Sequence, residues 1–207
     1  MKIISVFSQP DAKPFYAENE KDIWEKFKSG NLEVFSKIYQ QHIKSLYNYG
    51  LTFTRDKDVV QDCVQDLFIY IWNTKENLGT TDNIKYYLFK ALRRSILQKL
   101  ASEERFENIT KKQTDQELVQ FSAEYLLIAD QVAEEQKTMI FRAMKALNPL
   151  QYEAIYLKFF DNLSFEQVAE IMVMDKKATY KLISKAIEVL RKHSSFISAI
   201  FFLLNFF

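Results

Sequence analysis

Apolar residues recur three and four positions apart along most of the chain, the spacing of one face of an α-helix. From residue 22 to 49 the series Ile23, Trp24, Phe27, Val34, Phe35, Ile38, Tyr39, Ile43, Leu46 and Tyr47 keeps that period, and the Ser29-Gly30-Asn31 break divides it into two helices. A third helix is predicted over residues 56–72, with Val59, Val60, Cys63, Val64, Leu67, Phe68, Ile71 and Trp72 inward. Asn77 to Asn83 reads as a loop. A fourth helix, over residues 84–100, turns Tyr87, Leu88, Ala91, Leu92, Ile96 and Leu97 inward and leaves Lys85, Lys90, Arg93, Arg94, Gln98 and Lys99 toward solvent.

Periodicity fades over residues 101–120, where Glu103, Glu104, Arg105, Lys111, Lys112, Asp115 and Glu117 give the composition of a polar linker. Beyond it the pattern predicts a helix within residues 119–147, then one over 150–160 entered through Asn148-Pro149, where proline suits a first helical turn. After the Asp161-Asn162 turn, Ser164 and Gln167 have the spacing of a capping box for a short helix over 165–172. Residues 173–175 form a tight turn and residues 176–193 a last long helix.

The 207 residues include only three glycines and three prolines, far less turn punctuation than a chain of many strands needs. The fold class expected is all-α: two small helical domains joined by a polar linker, the second a helix-turn-helix, followed by an apolar helical tail. The boundaries are an N-terminal segment 1–20, a first domain 21–100, a linker 101–120, a second domain 121–193 and a tail 194–207. That tail reads as a helix packed on the protein's own domains; docking of a regulator or of another protein partner, and attachment to a membrane surface, are the other readings. It is too short to span a bilayer as a helix, and residues 1–15 do not have the form of a signal peptide.

The single cysteine offers neither a disulfide nor a cysteine metal site, which favours a reducing, cytoplasmic compartment. His42 and His193 fall in separate domains, and no nucleophile elbow or phosphate-cradling loop is present, so an enzyme is disfavoured and no cofactor, metal or small-molecule substrate is expected. A formal net charge of +1 argues against nucleic-acid binding by bulk electrostatics. Any DNA contact must come from local clusters.

One such cluster lies on the last helix, where Lys176, Lys177, Tyr180, Lys181, Ser184 and Lys185 share a face able to meet phosphates and base edges. A short helix, a tight turn and a longer helix of this kind can set that face into a major groove. Ala169 suits the close approach of the two helices, with Val168, Ile171, Ala178 and Ile183 between them. The same lysines also suit a solvated face on an ordinary helix.

The run Leu147-Asn-Pro-Leu-Gln-Tyr-Glu-Ala-Ile-Tyr-Leu-Lys-Phe-Phe-Asp-Asn-Leu-Ser-Phe-Glu-Gln-Val-Ala-Glu-Ile171, with Ala186-Ile-Glu-Val-Leu-Arg191, resembles the C-terminal domain of extracytoplasmic-function sigma factors of the sigma-70 family. Phe35-Ser-Lys-Ile-Tyr39, the stretch Asp58 to Trp72, and Tyr87-Leu-Phe-Lys-Ala-Leu-Arg-Arg-Ser-Ile96 resemble that family's N-terminal domain in the same order. The resemblance implies a factor that binds core RNA polymerase and directs promoter recognition. It places Lys176, Lys177, Tyr180, Lys181, Ser184 and Lys185 on the −35 element, and Asp62, Gln65, Asp66 and Tyr70 on the polymerase. Asn77, Thr80, Thr81 and Asn83 fall in the loop that captures a flipped −10 base, with Lys90, Arg93, Arg94 and Lys99 on its phosphates. Core polymerase, promoter DNA and an anti-sigma factor are the implied partners. Gln61 departs from the family's glutamate and Arg94 from its asparagine. A helix-turn-helix regulator of another type, with a ligand pocket or dimer interface, is the alternative.

Overall fold

A computed structural model of the chain describes residues 19–110 and 144–192. The N-terminal segment, the second part of the linker, most of the helix expected within 119–147 and the apolar tail lie outside the described residues. Every regular element among the described residues is helical: α1 (Glu20–Lys28), α2 (Leu32–Gly50), α3 (Lys57–Thr74), α4 (Ile84–Thr110), α5 (Pro149–Ile155), α6 (Phe165–Ile171) and α7 (Lys176–Lys192). None of them is long and apolar enough to cross a membrane.

Local chemistry explains each boundary. Asn19 accepts a hydrogen bond from the Lys21 amide to start α1, Asn31 accepts one from Val34 to start α2, and the Asp56 carboxylate accepts from Asp58 and Val59 to start α3. Helix α1 ends on Gly30 at φ 89°, where the Gly30 amide donates to Phe27 (2.9 Å) and that of Asn31 to Lys26 (3.2 Å). The Ser164/Gln167 capping box expected from sequence is present, and a second one, Asn148/Gln151 with Pro149 behind it, opens α5. Helix α5 widens into a π-helical turn, Tyr156–Phe160, closed by the Asp161 amide donating to the Tyr156 carbonyl at 3.2 Å.

The core of the first half is built on fully buried Trp24, Phe27, Leu46, Tyr49, Ile71, Leu88, Phe89, Leu92 and Ile96 from α1 to α4. A Cβ on Gly50 would lie 2.5 Å from Val60 Cγ1, so this glycine lets the end of α2 close on α3. Helices α5 and α7 pack around Ala154, Ile155, Leu157, Ile183, Ala186 and Leu190, with Val168 and Ile171 of α6 completing that core.

Three expectations are corrected. Helix α4 continues through residues 101–110, which composition assigns to the linker: those residues are mostly polar, yet they contain no glycine or proline to stop a helix already nucleated upstream. Leu97 is 40% exposed, because the inward stripe runs Leu88, Phe89, Leu92 and Ile96 and leaves it past the edge. Ala178 is exposed and Thr179 is buried in its place, in phase with Ile183, Ala186 and Leu190.

Candidate nucleic-acid interface

Helix α7 begins on Asp175, whose carboxylate accepts from the amides of Lys177 (2.8 Å) and Ala178 (3.3 Å). Thr179 is fully buried because its hydroxyl donates to the Asp175 carbonyl at 3.0 Å, removing the desolvation cost of the only polar group on the inward stripe. With that stripe fixed, Lys176, Lys177, Lys181, Ser184 and Lys185 are all exposed. Tyr180 is 46% exposed and stacks on Phe165 of α6 at 4.2 Å, so α6 buttresses the phenol while its edge faces outward. Lys176 pairs with Glu166 at 3.3 Å, while Lys177, Lys181 and Lys185 carry no ion pair among the described residues.

The turn between α6 and α7 is tight because Val173 adopts φ 55°. Its amide donates to Glu170 (3.3 Å) and the next, Met174, to Ala169 (2.8 Å), the same bonds that end α1 at Gly30. A β-branched residue is a poor occupant of that backbone region, and Val173 is 83% exposed, so no packing compensates.

Helix α3 buries Val59, Val60, Cys63, Val64, Leu67, Phe68 and Ile71 and turns Asp62, Gln65, Asp66 and Tyr70 outward as one strip. Ile69, not singled out in the sequence, joins that strip at 49% exposure beside Tyr70 at 58%. Two adjacent exposed apolar side chains next to two carboxylates form a surface suited to a protein partner. Adjacency of Ile69 and Tyr70 along the helix was the available signal. Gln61 is exposed on the same helix.

The loop before α4 divides its polar residues between two tasks. Asn77, ending a short 3-10 turn, and Thr80 are exposed. Thr81 and Asn83 are engaged in capping: the Asn83 side chain accepts from the Tyr86 amide at 2.7 Å, and the Asn83 amide donates to the Thr81 hydroxyl at 3.1 Å. Glu20 of α1 accepts from the Ile84 amide at 2.7 Å, and the Trp24 indole donates to the Gly79 carbonyl at 2.8 Å, tying the loop to α1.

The basic face of α4 splits likewise. Arg94 and Lys99 are exposed. Arg93 is half-buried and donates through Nε to Glu153 of α5 at 2.7 Å, and Glu153 also accepts from the buried Tyr49 hydroxyl at 2.8 Å. Burial first, and the Glu153 carboxylate second, hold the Tyr49 phenol well above its ordinary pKa. Lys90 donates to the Tyr86 hydroxyl at 2.8 Å and lies 3.6 Å from Glu170 of α6, which Tyr86 also contacts. Lys85 reaches both the carbonyl (2.6 Å) and a carboxylate oxygen (3.0 Å) of Asp161. Burial pushes the Asp161 carboxyl up to about 6, against the pull of Lys85, and its second oxygen is buried without a hydrogen-bond partner. Tyr87, half-buried against Trp24, serves the core. Among the described residues no group of three His, Cys, Asp or Glu is placed to hold a metal ion.

Comparisons with known proteins converge on one family. The family model for sigma-70 region 2 matches residues 38–106, from α2 into α4. The extracytoplasmic-function RNA polymerase sigma factor SigL of Mycobacterium tuberculosis is 29% identical over 106 residues, covering 47% of this chain; the chain spans 59% of that relative's length. The sigma factor RpoE of Bartonella quintana, solved with the anti-sigma factor NepR, aligns with a TM-score of 0.59 at 20% identity, over 78% of this chain and 97% of that one. CnrH, solved with the cytosolic domain of CnrY, aligns with a TM-score of 0.57 at 17% identity, over 84% and 96%. Residues 38–106 match sigma-70 region 2, the chain is similar in sequence to an extracytoplasmic-function sigma factor, and it shares the all-helical fold of the solved RpoE and CnrH structures.

Proposed function

We propose that this chain is a sigma factor that binds core RNA polymerase and directs promoter recognition and transcription initiation. The observation that carries the reading is the union, in one chain, of a matched sigma-70 region 2 with a capped helix-turn-helix whose second helix leaves Lys177, Lys181 and Lys185 exposed and, among the described residues, without an ion pair. A repressor needs only the second of these. In this reading residues 21–100, with α4 extended to Thr110, form the promoter-melting domain, and residues 121–193 form the −35-reading domain.

Each surface then has a role with a physical basis. The α3 strip, Asp62, Gln65, Asp66 and Tyr70 with Ile69, docks on the polymerase by an exposed apolar pair framed by carboxylates. Asn77 and Thr80 offer free polar groups to a base edge, while Thr81 and Asn83 shape the loop. Lys90, Arg93, Arg94 and Lys99 serve the phosphates of the melted strand, Arg94 being the one of these cations that combines exposure with a planar guanidinium able to stack. On α7, the lysines position the helix by phosphate contacts, and Tyr180 and Ser184 lie close enough to reach base edges. The protein acts where polymerase and chromosome are, in the cytoplasm, under an anti-sigma factor of the kind with which RpoE is solved.

Run-off transcription from genomic promoter fragments, with core polymerase alone and with the chain added, tests the reading. It predicts transcripts of discrete length only when the chain is present. Binding to promoter fragments with no stimulation of core would favour the regulator of another type.

A further inference from the structure

Two hydrogen bonds reach from α1 to the loop before α4, across more than fifty residues of sequence: the Trp24 indole donates to the Gly79 carbonyl (2.8 Å), and the Ile84 amide donates to the Glu20 carboxylate (2.7 Å). Both are built into the packing. Trp24 is fully buried, between Phe27 at 5.0 Å and Tyr87 of α4 at 4.9 Å, and a buried indole N–H must find an acceptor. Gly79 supplies it. Glu20 takes the first amide of α4 in a charge-assisted bond, so the start of that helix already holds an anion and is closed to a phosphate. Leu78, buried between them, is a third fixed point.

Around these anchors the loop turns Asn77 and Thr80 outward, on either side of Gly79, where a Cβ would meet nothing within 4 Å. Polar side chains thus stand beside open space on a backbone that is held in place. That arrangement suits the flat edge of an unpaired base, whose recognition needs its partners held to within about 0.5 Å before contact.

We propose that Trp24 and Glu20 are positioning residues for base selection: α1 braces the loop so that Asn77 and Thr80 meet an unpaired base in a preformed geometry, while α1 itself touches no nucleotide. That the strand is promoter DNA rests on the sigma-factor reading; the brace does not. Ordering the loop in the free protein removes that entropy loss from the binding step. Loosening the brace therefore costs discrimination between bases. It leaves in place the attraction to phosphates, which the exposed Arg94 and Lys99 of α4 supply.

The test is made on the full chain. Trp24→Phe removes the donor and Glu20→Ala the acceptor; Phe27→Leu, at a site also fully buried on α1 but with no side-chain donor, matches the packing loss. Hydrogen exchange reads the brace at the Leu78, Asn83 and Ile84 amides, each bonded in the parent. Base selection is read at low salt on twelve-nucleotide strands of abasic sites that carry one central base, A, C, G or T. The wholly abasic strand reports the phosphates alone. The parent is expected to favour its best base over the mean of the others by about tenfold. Trp24→Phe and Glu20→Ala speed exchange by about fivefold or more and cut the preference to about threefold or less, while affinity for the wholly abasic strand moves by less than about twofold. Phe27→Leu keeps the preference at an equal loss of stability, and Glu20→Gln, which retains an acceptor oxygen, restores it. No base preference in the parent, a preference that survives faster exchange, or an equal fall in Phe27→Leu overturns the proposal. Core-polymerase binding of the same proteins reports separately: its absence with both readouts as predicted sinks the sigma-factor reading and supports the brace.

Discussion

Helices α4 and α7 look alike as sequence and differ as structure. Each has an apolar stripe and a row of lysine or arginine, and either row would suit DNA. On α7 the row is solvated, with Lys177, Lys181 and Lys185 exposed beside Tyr180. On α4 the cations nearest the second half are engaged, and among the described side chains Arg94 and Lys99 stand clear. Charge along a helix shows which residues can hold an anion. It does not show whether the protein already supplies one.

The largest effect is expected where α4 is most deeply engaged. Glu153→Ala leaves Arg93 and the Tyr49 hydroxyl without their acceptor in a closed site, and breaking a buried pair from one side costs about 3–5 kcal/mol. Chemical unfolding monitored by circular dichroism measures it. A loss under about 1 kcal/mol would place the pair on the same footing as the surface lysines of α7.

Acid should also act on the first half. His42 is buried and its pKa is lowered to about 4, by desolvation first and by the charge of Lys85 second. The folded state therefore resists protonation that the unfolded chain accepts. His42's contribution is complete above pH 6.5 and is lost as pH falls toward 4, about 3 kcal/mol in all. Asp161, raised to about 6, works oppositely: its neutral form is favoured in the folded state, adding stability as pH falls below 6. Lowering pH from 7 to 5 should accordingly shift the unfolding free energy upward in His42→Gln relative to the parent, and downward in Asp161→Asn.

Two smaller effects sharpen the contrast on the α7 side. Lys181→Glu should weaken duplex promoter binding about tenfold, roughly 1.4 kcal/mol, with stability changed by no more than about 0.5 kcal/mol, because the side chain touches nothing that folds the domain. Equal losses in binding and stability would deny α7 its separate role. Val173→Gly should raise stability by about 1 kcal/mol in thermal unfolding, since glycine carries no Cβ into the left-handed region that valine occupies at φ 55°.

What the sequence reveals follows the range of the physics involved. Caps and periods are local, so Ser164 with Gln167, the Ser29-Gly30-Asn31 break and the stripe of α3 are legible in a few consecutive residues. Phase is legible to within one position, which is why Ala178 is expected where Thr179 lies: threonine reads as polar until its hydroxyl is seen bonded to the Asp175 carbonyl. The end of α4 is missed because polar composition resembles a linker whether or not the backbone continues as helix. The partner of Arg93 could not be read at all, since Glu153 is sixty residues away in sequence and each looks like an ordinary surface charge on its own helix. Val173 is a similar case: nothing in Ile-Met-Val-Met signals that the turn places a valine where Gly30 serves elsewhere.

The claim that orders all of this is that the chain works on RNA polymerase, and co-elution with core enzyme tests it most directly. The account predicts a one-to-one complex with the parent, lost in Asp62→Lys/Asp66→Lys/Tyr70→Ala while the circular dichroism spectrum is unchanged. No complex with the parent, or a complex indifferent to those three substitutions, would contradict it.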